Sequence, residues 1–216
     1  MVTKGNKKNK LKSGKKIKSK SKDPAEIEKI ILKIAIEIAK HGEGALFVIG
    51  EGFHYGKLMK HKFGKINVFD KGAEKVLKGL AVIDGATVIS PKGDLVEYGV
   101  LIKHTKPFVG FGTRHAAAVT ASKNNNVSIL ASEEERKVKV FKNGKYIMQI
   151  DALQKNVEKK VPAISQILES AGAGVIGTIG AVTLAPTLGI ALIPGIVVFG
   201  GSYYAIKAFL DNYVKS

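Results

Sequence analysis

Three short segments carry the residue types that could do phosphate chemistry: Asp84-Gly85-Ala86, Gly112-Thr113-Arg114-His115 and Ser132-Glu133-Glu134. In the second, glycine precedes Thr113, and the alanine-rich run at 116–121 favours a helix that starts there. Unpaired N–H groups at such a start, with the positive end of the helix dipole, attract anions. Gly112 lets a ligand approach the backbone, and Arg114 offers a planar fork for phosphate oxygens. Of 35 basic residues besides histidine, only Arg114 and Arg136 are arginines, which suggests a geometric need at position 114. An ordinary helix start with a surface arginine accounts for the same letters. Asp84 interrupts the apolar run LAVIDGATVIS, where an acid is out of character for a strand. It reads either as a hairpin turn with Gly85 or as a metal ligand and acceptor of a hydroxyl proton. Glu133 and Glu134 read either as a solvated loop or as partners of Asp84 on a metal, with Ser132 touching phosphate.

Taken together, in this order and at these separations, the three segments resemble the diadenylate cyclase family over about residues 25–151. Members join two ATP molecules into cyclic di-AMP and release two pyrophosphates. The resemblance implies Asp84, Arg114 and His115 as catalytic residues. It implies Gly85, Ala86, Leu101, Gly112, Thr113, Arg114 and Ser132 as nucleotide contacts. Asp84, His115, Glu133 and Glu134 would serve a divalent Mg or Mn ion. It further implies ATP as substrate and a homodimer, or a larger homo-oligomer, in which two active faces meet. The family's second motif usually reads Arg-His-Arg, and here Ala116 stands in place of the last arginine.

The elements that must position these residues can be read in chain order. Residues 1–22 contain ten lysines and no acid, so they hold +10 of the formal net charge of +17. Without an apolar period they read as a disordered tail, and no long apolar stretch follows as in a secretory signal. Such a tail suits a solvated arm, a nucleic-acid arm or a tether to anionic lipid. It lacks interleaved aromatics, so specific nucleic-acid recognition is not expected. Asp23-Pro24 with Glu26 is a helix-start signal, and Ile27, Ile30, Ile31, Ile34 and Ile38 then recur at helical spacing. Gly42 and Gly44 end that helix, and residues 45–50 form a buried strand. Residues 51–67 read as a loop. Residues 70–78 read as a helix with Ala73, Val76 and Leu77 inward, leading to a strand that contains Asp84. Residues 95–102 and 127–131 are further strands, and Asn143-Gly144 joins a hairpin of residues 137–141 and 146–150.

The expected fold class is α/β: a mixed sheet flanked by helices, occupying residues 23–155. With 45% hydrophobic residues a sizeable core is available. The absence of cysteine excludes a disulfide framework and any thiolate metal site. Residues 156–216 read as a linking helix followed by an apolar helical hairpin. Residues 170–206 carry no charge over 37 positions, enough for one long membrane span or two short ones. Glycine-rich packing and Tyr203, Tyr204 and Lys207 at an interface favour insertion at the cell membrane, the catalytic domain facing the cytoplasm. A buried hairpin or a dimer seam is the soluble alternative.

Overall fold

A computed structural model describes residues 23–60, 63–106, 112–172 and 196–198. Helix α1 (Pro24–His41) begins where the capping signal lies: Asp23 accepts a hydrogen bond from the Ala25 amide at 3.1 Å, and Pro24 occupies the first turn. It ends at Gly42, whose φ of 76° permits the left-handed cap. Arg136 completes that end by donating to the Lys40 carbonyl at 2.9 Å. Ile27, Ile31, Ile34 and Ile38 are fully buried. So are Leu32 and Ile36, because α1 is covered on two sides.

The strands are β1 (Ala45–Ile49), β2 (Tyr55–Lys57), β3 (Ala86–Ile89), β4 (Leu95–Ile102), β5 (Val127–Ser132), β6 (Lys137–Lys142), β7 (Lys145–Asp151) and β8 (Ile196–Val198). They form one sheet in the order β2-β4-β3-β1-β5-β6-β7-β8. β1 and β3 run parallel and every other pair is antiparallel, so the sheet is mixed, as expected. Helices α1, α2 (Ala73–Ala81) and α4 (Val161–Gly172) build the larger core on one face, around Phe47, Ile89, Ile129 and Val140. Helix α3 (Thr113–Ala121) covers the other face, where Ala118 and Ala121 pack with Leu46, Val48 and Leu130. The hairpin turn has φ of 54° at Asn143 and 72° at Gly144, the two positive values that a tight two-residue loop requires.

Five expectations change. Leu80 and Ala81 belong to the last turn of α2, not to a strand, and β3 begins only at Ala86. The helical spacing of Ala73, Leu77 and Ala81 runs on into that stretch and wins over its strand-like composition. Val76 is 45% exposed, because Ala81 completes the buried face of α2 in its place. Residues 55–57, expected in a loop, pair with β4 as an edge strand. Ile196–Val198, inside the expected helical hairpin, instead extends the sheet against β7, whose outer backbone groups a short β-branched run can satisfy. Residues 173–195 and 199–206 of the apolar segment lie outside the described residues. Among those that are described, no helix is long and apolar enough to cross a membrane. Helix α4, expected as a linker, packs against α1 with Ile164 and Leu168 fully buried in the main core.

Candidate nucleotide-binding active site

β1 and β3 start, and β5 ends, at the same end of the sheet, where α3 also has its N-terminus. This places Asp84, residues 112–115 and residues 130–134 around one cleft of about 390 Å³. The three sequence segments therefore converge.

Asp84 stands in the turn before β3 with its side chain 86% exposed. Its Oδ1 accepts from the Gly85 amide at 2.9 Å and lies 3.7 Å from Arg114 Nη2. An exposed pair at that separation is worth at most about 1 kcal/mol, so it does little for stability. Gly85 is forced on the chain twice. Its φ is +100°, and a Cβ would lie 2.7 Å from the Val100 amide nitrogen and 2.9 Å from the Val100 carbonyl oxygen. The tight crossing over β4 aims the preceding carboxylate into the cleft. Ala86 is 1% exposed and belongs to the core, paired with Leu46 and Val100.

Gly112 caps α3 with no side-chain hydrogen bond, and no acid stands in the first turn. The amides that open this helix therefore face the cleft without a side-chain cap, the arrangement that suits an anion. A Cβ on Gly112 would meet nothing within 4 Å, so nothing in the chain itself demands glycine there. Thr113 is exposed beside it. Arg114 reaches across to the start of β1. A Cβ on Gly44 would lie 2.2 Å from Arg114 Nη1 and 3.5 Å from Glu133 Oε2. Gly44 is thus the floor on which Arg114 rests, beside Glu133. Ala116, the departure from the Arg-His-Arg pattern, is buried against the sheet.

His115 lines the cleft with its ring edge-on to Phe141, centroids 6.4 Å apart. Its Nε2 lies 2.9 Å from Lys139 Nζ, so that nitrogen faces an ammonium group. Lys139 is 1% exposed and also pairs with the Glu135 carboxylate. Burial pushes the Glu135 carboxyl up. The hydrogen bond and charge of Lys139, with Lys137 and His115, outweigh that and hold it below the usual carboxylate range. Ser132 lines the cleft, and its Oγ accepts from the Glu135 amide at 3.4 Å. Glu133 and Glu134 are exposed on the rim. Leu101 is 58% exposed and does not line this cleft. Val100 and Ile102 beside it face the α3 side, so strand alternation turns Leu101 to the opposite face.

Among the described residues, no three His, Asp or Glu side chains are grouped to hold a metal. Asp84 with Glu133 or Glu134 offers the one or two carboxylates that a magnesium ion needs when phosphates and water supply its other ligands. The donor set fits such an ion. Gly44, Glu135 and Lys139 escaped the sequence reading. Only Lys139 carried a signal, as a lysine two residues from Phe141 on one face of a strand in a sheet covered on both sides.

The family model described as DisA bacterial checkpoint controller nucleotide-binding matches residues 33–146. The chain is 33% identical over 139 residues to a diadenylate cyclase of Methanocaldococcus jannaschii, covering 57% of this chain and 45% of that one. It is 32% identical over 148 residues to a diadenylate cyclase of Haloferax volcanii, covering 60% and 54%. It spans about half the length of these relatives. Among solved structures it is similar to a double mutant of DacA from Staphylococcus aureus. That match has 18% identity and a TM-score of 0.44, over 68% of this chain and 96% of the other. The converging segments lie within the matched region, and the chain belongs to the DisA checkpoint-controller nucleotide-binding family, the diadenylate cyclase domain.

Proposed function

We propose that this chain is a diadenylate cyclase that condenses two ATP into cyclic di-AMP and two pyrophosphates. The observation that carries this reading is the meeting of Asp84 and Arg114, 3.7 Å apart, at the uncapped N-terminus of α3. The relatives' names support it at family level.

In this reading the first-turn amides of α3, Thr113 and Arg114 hold the triphosphate, and the open space over Gly112 is where phosphate approaches. Asp84 with Glu133 or Glu134 would hold a divalent Mg or Mn ion, which would supply charge neutralisation at the reacting phosphates. Asp84 accepts the proton of the 3′-hydroxyl or orients that group as its oxygen attacks the α-phosphorus. The new ester bond replaces the bond to pyrophosphate, which leaves. Arg114 offsets charge on the phosphate oxygens. One face makes only half of the ring, so two subunits meet face to face and each presents its 3′-hydroxyl to the other's α-phosphate. Catalysis is then mostly positioning.

Membrane attachment through the part of the apolar segment that lies outside the described residues belongs to this reading on the sequence alone, and fractionation of the full chain decides it. Incubating the full chain with ATP and Mg or Mn, then separating the nucleotides, tests the activity. Cyclic di-AMP should form, with a rate per subunit that rises with protein concentration. ATP binding without product would sink the reading and leave a nucleotide sensor.

A further inference from the structure

Lys139 is the anomaly in this domain. It sits in the middle of β6, opposite Leu130 on one side and Gln149 on the other, at 1% exposure. Burying an ammonium is costly unless it is paired and hydrogen-bonded. It pairs with the Glu135 carboxylate and lies 2.9 Å from Nε2 of His115. An ammonium has three donors and no acceptor. Its contact with Nε2 is therefore a hydrogen bond only if Nε2 is bare, and the imidazole proton then resides on Nδ1.

We propose that Lys139 is a positioning residue that locks His115 in its neutral Nδ1–H tautomer. His115 then meets the nucleotide in the cleft as a hydrogen-bond donor and not as a metal ligand. This rests on the reading of the cleft as the ATP site, and it deepens that reading. With Nε2 directed at an ammonium and Nδ1 protonated, neither nitrogen offers a lone pair to a divalent cation. A neutral ring that donates can follow charge as it builds on a phosphate oxygen, so its effect falls on turnover more than on binding. Glu135 pairs with the same ammonium and so helps to hold it beside the ring.

Nitrogen-15 NMR of histidine-labelled full chain tests the lock, with the His115 signals identified by their loss in His115→Asn. In the unmodified chain Nδ1 should be protonated and Nε2 bare. Lys139→Met should move the proton to Nε2, and so should Lys139→Met with Glu135→Gln, which leaves no unpaired carboxylate. Glu135→Gln alone should leave the tautomer unchanged. In steady-state assays Lys139→Met should lower kcat about 10-fold or more, while KM for ATP stays within about twofold, taking as a guide the cost of losing the orienting partner of a metal-bound histidine. A protonated Nε2 in the unmodified chain, the same tautomer after loss of Lys139, or unchanged kcat after a tautomer switch would each overturn the proposal. The NMR result does not depend on turnover. An inactive chain with the stated tautomer would refute the cyclase reading and leave the lock standing.

Discussion

Gly44→Ala isolates the contribution of Arg114 without touching Arg114. Gly44 has no positive φ, so alanine is conformationally acceptable there. The obstacle is the guanidinium: a Cβ at position 44 would lie 2.2 Å from Arg114 Nη1 and 3.3 Å from its Cζ. Ordinary contact begins near 3.4 Å, so the fork must retreat by roughly 1 Å. A long side chain can make that shift cheaply. Replacing a loop glycine with alanine also restricts the unfolded chain, by about 0.4–1 kcal/mol in favour of the fold. Stability should therefore hold or rise slightly. Misplacing a catalytic group by about 1 Å costs on the order of 100-fold in rate, or about 2.7 kcal/mol in barrier. Thermal melts and cyclic di-AMP formation, measured on the same preparations, should show Gly44→Ala as folded as the parent and close to Arg114→Ala in activity. Parental turnover from a well-folded Gly44→Ala protein would refute the view that Arg114 must rest on this floor.

Two further outcomes follow from the same geometry. Gly85→Ala should destabilise by roughly 2 kcal/mol or more, read as a lower urea midpoint, because it meets both a positive φ and the backbone of β4. Glu135, with its folded-state pKa depressed, contributes stability that is present above its ordinary value of 4.5 and is lost as pH falls through the lower folded value. Urea midpoints taken from neutral pH downward should therefore fall more steeply below about 4.5 in the parent than in Glu135→Gln. Equal acid slopes would contradict the pairing with Lys139.

The parts of the fold legible in the sequence were those with local chemistry. Asp23-Pro24, the glycine after His41 and Asn143-Gly144 each specify a backbone conformation through their own side chains or lack of them, and each boundary falls there. The three segments that line the cleft were legible because an acid, glycines and a rare arginine stand out at the ends of apolar runs. Composition misled where two periodicities overlapped, at Leu80 and Ala81, and where an edge pairing depends on a distant strand, as for β2 and β8. Gly44 left no trace of its role, and Lys139 only the oddity of a lysine within a covered strand, for a related reason. Their roles are contacts with Arg114 and His115 across 70 and 24 positions, which no local pattern announces.

The most direct test of the cleft as a nucleotide-condensing site compares the full chain with Asp84→Asn, each given ATP and Mg or Mn. Asparagine keeps an oxygen for the Gly85 amide, and the side chain is 86% exposed, so folding and ATP binding should survive. Cyclic di-AMP should appear from the parent and be absent from the variant. Equal yields from the two proteins would show that the Asp84 carboxylate has no part in the chemistry.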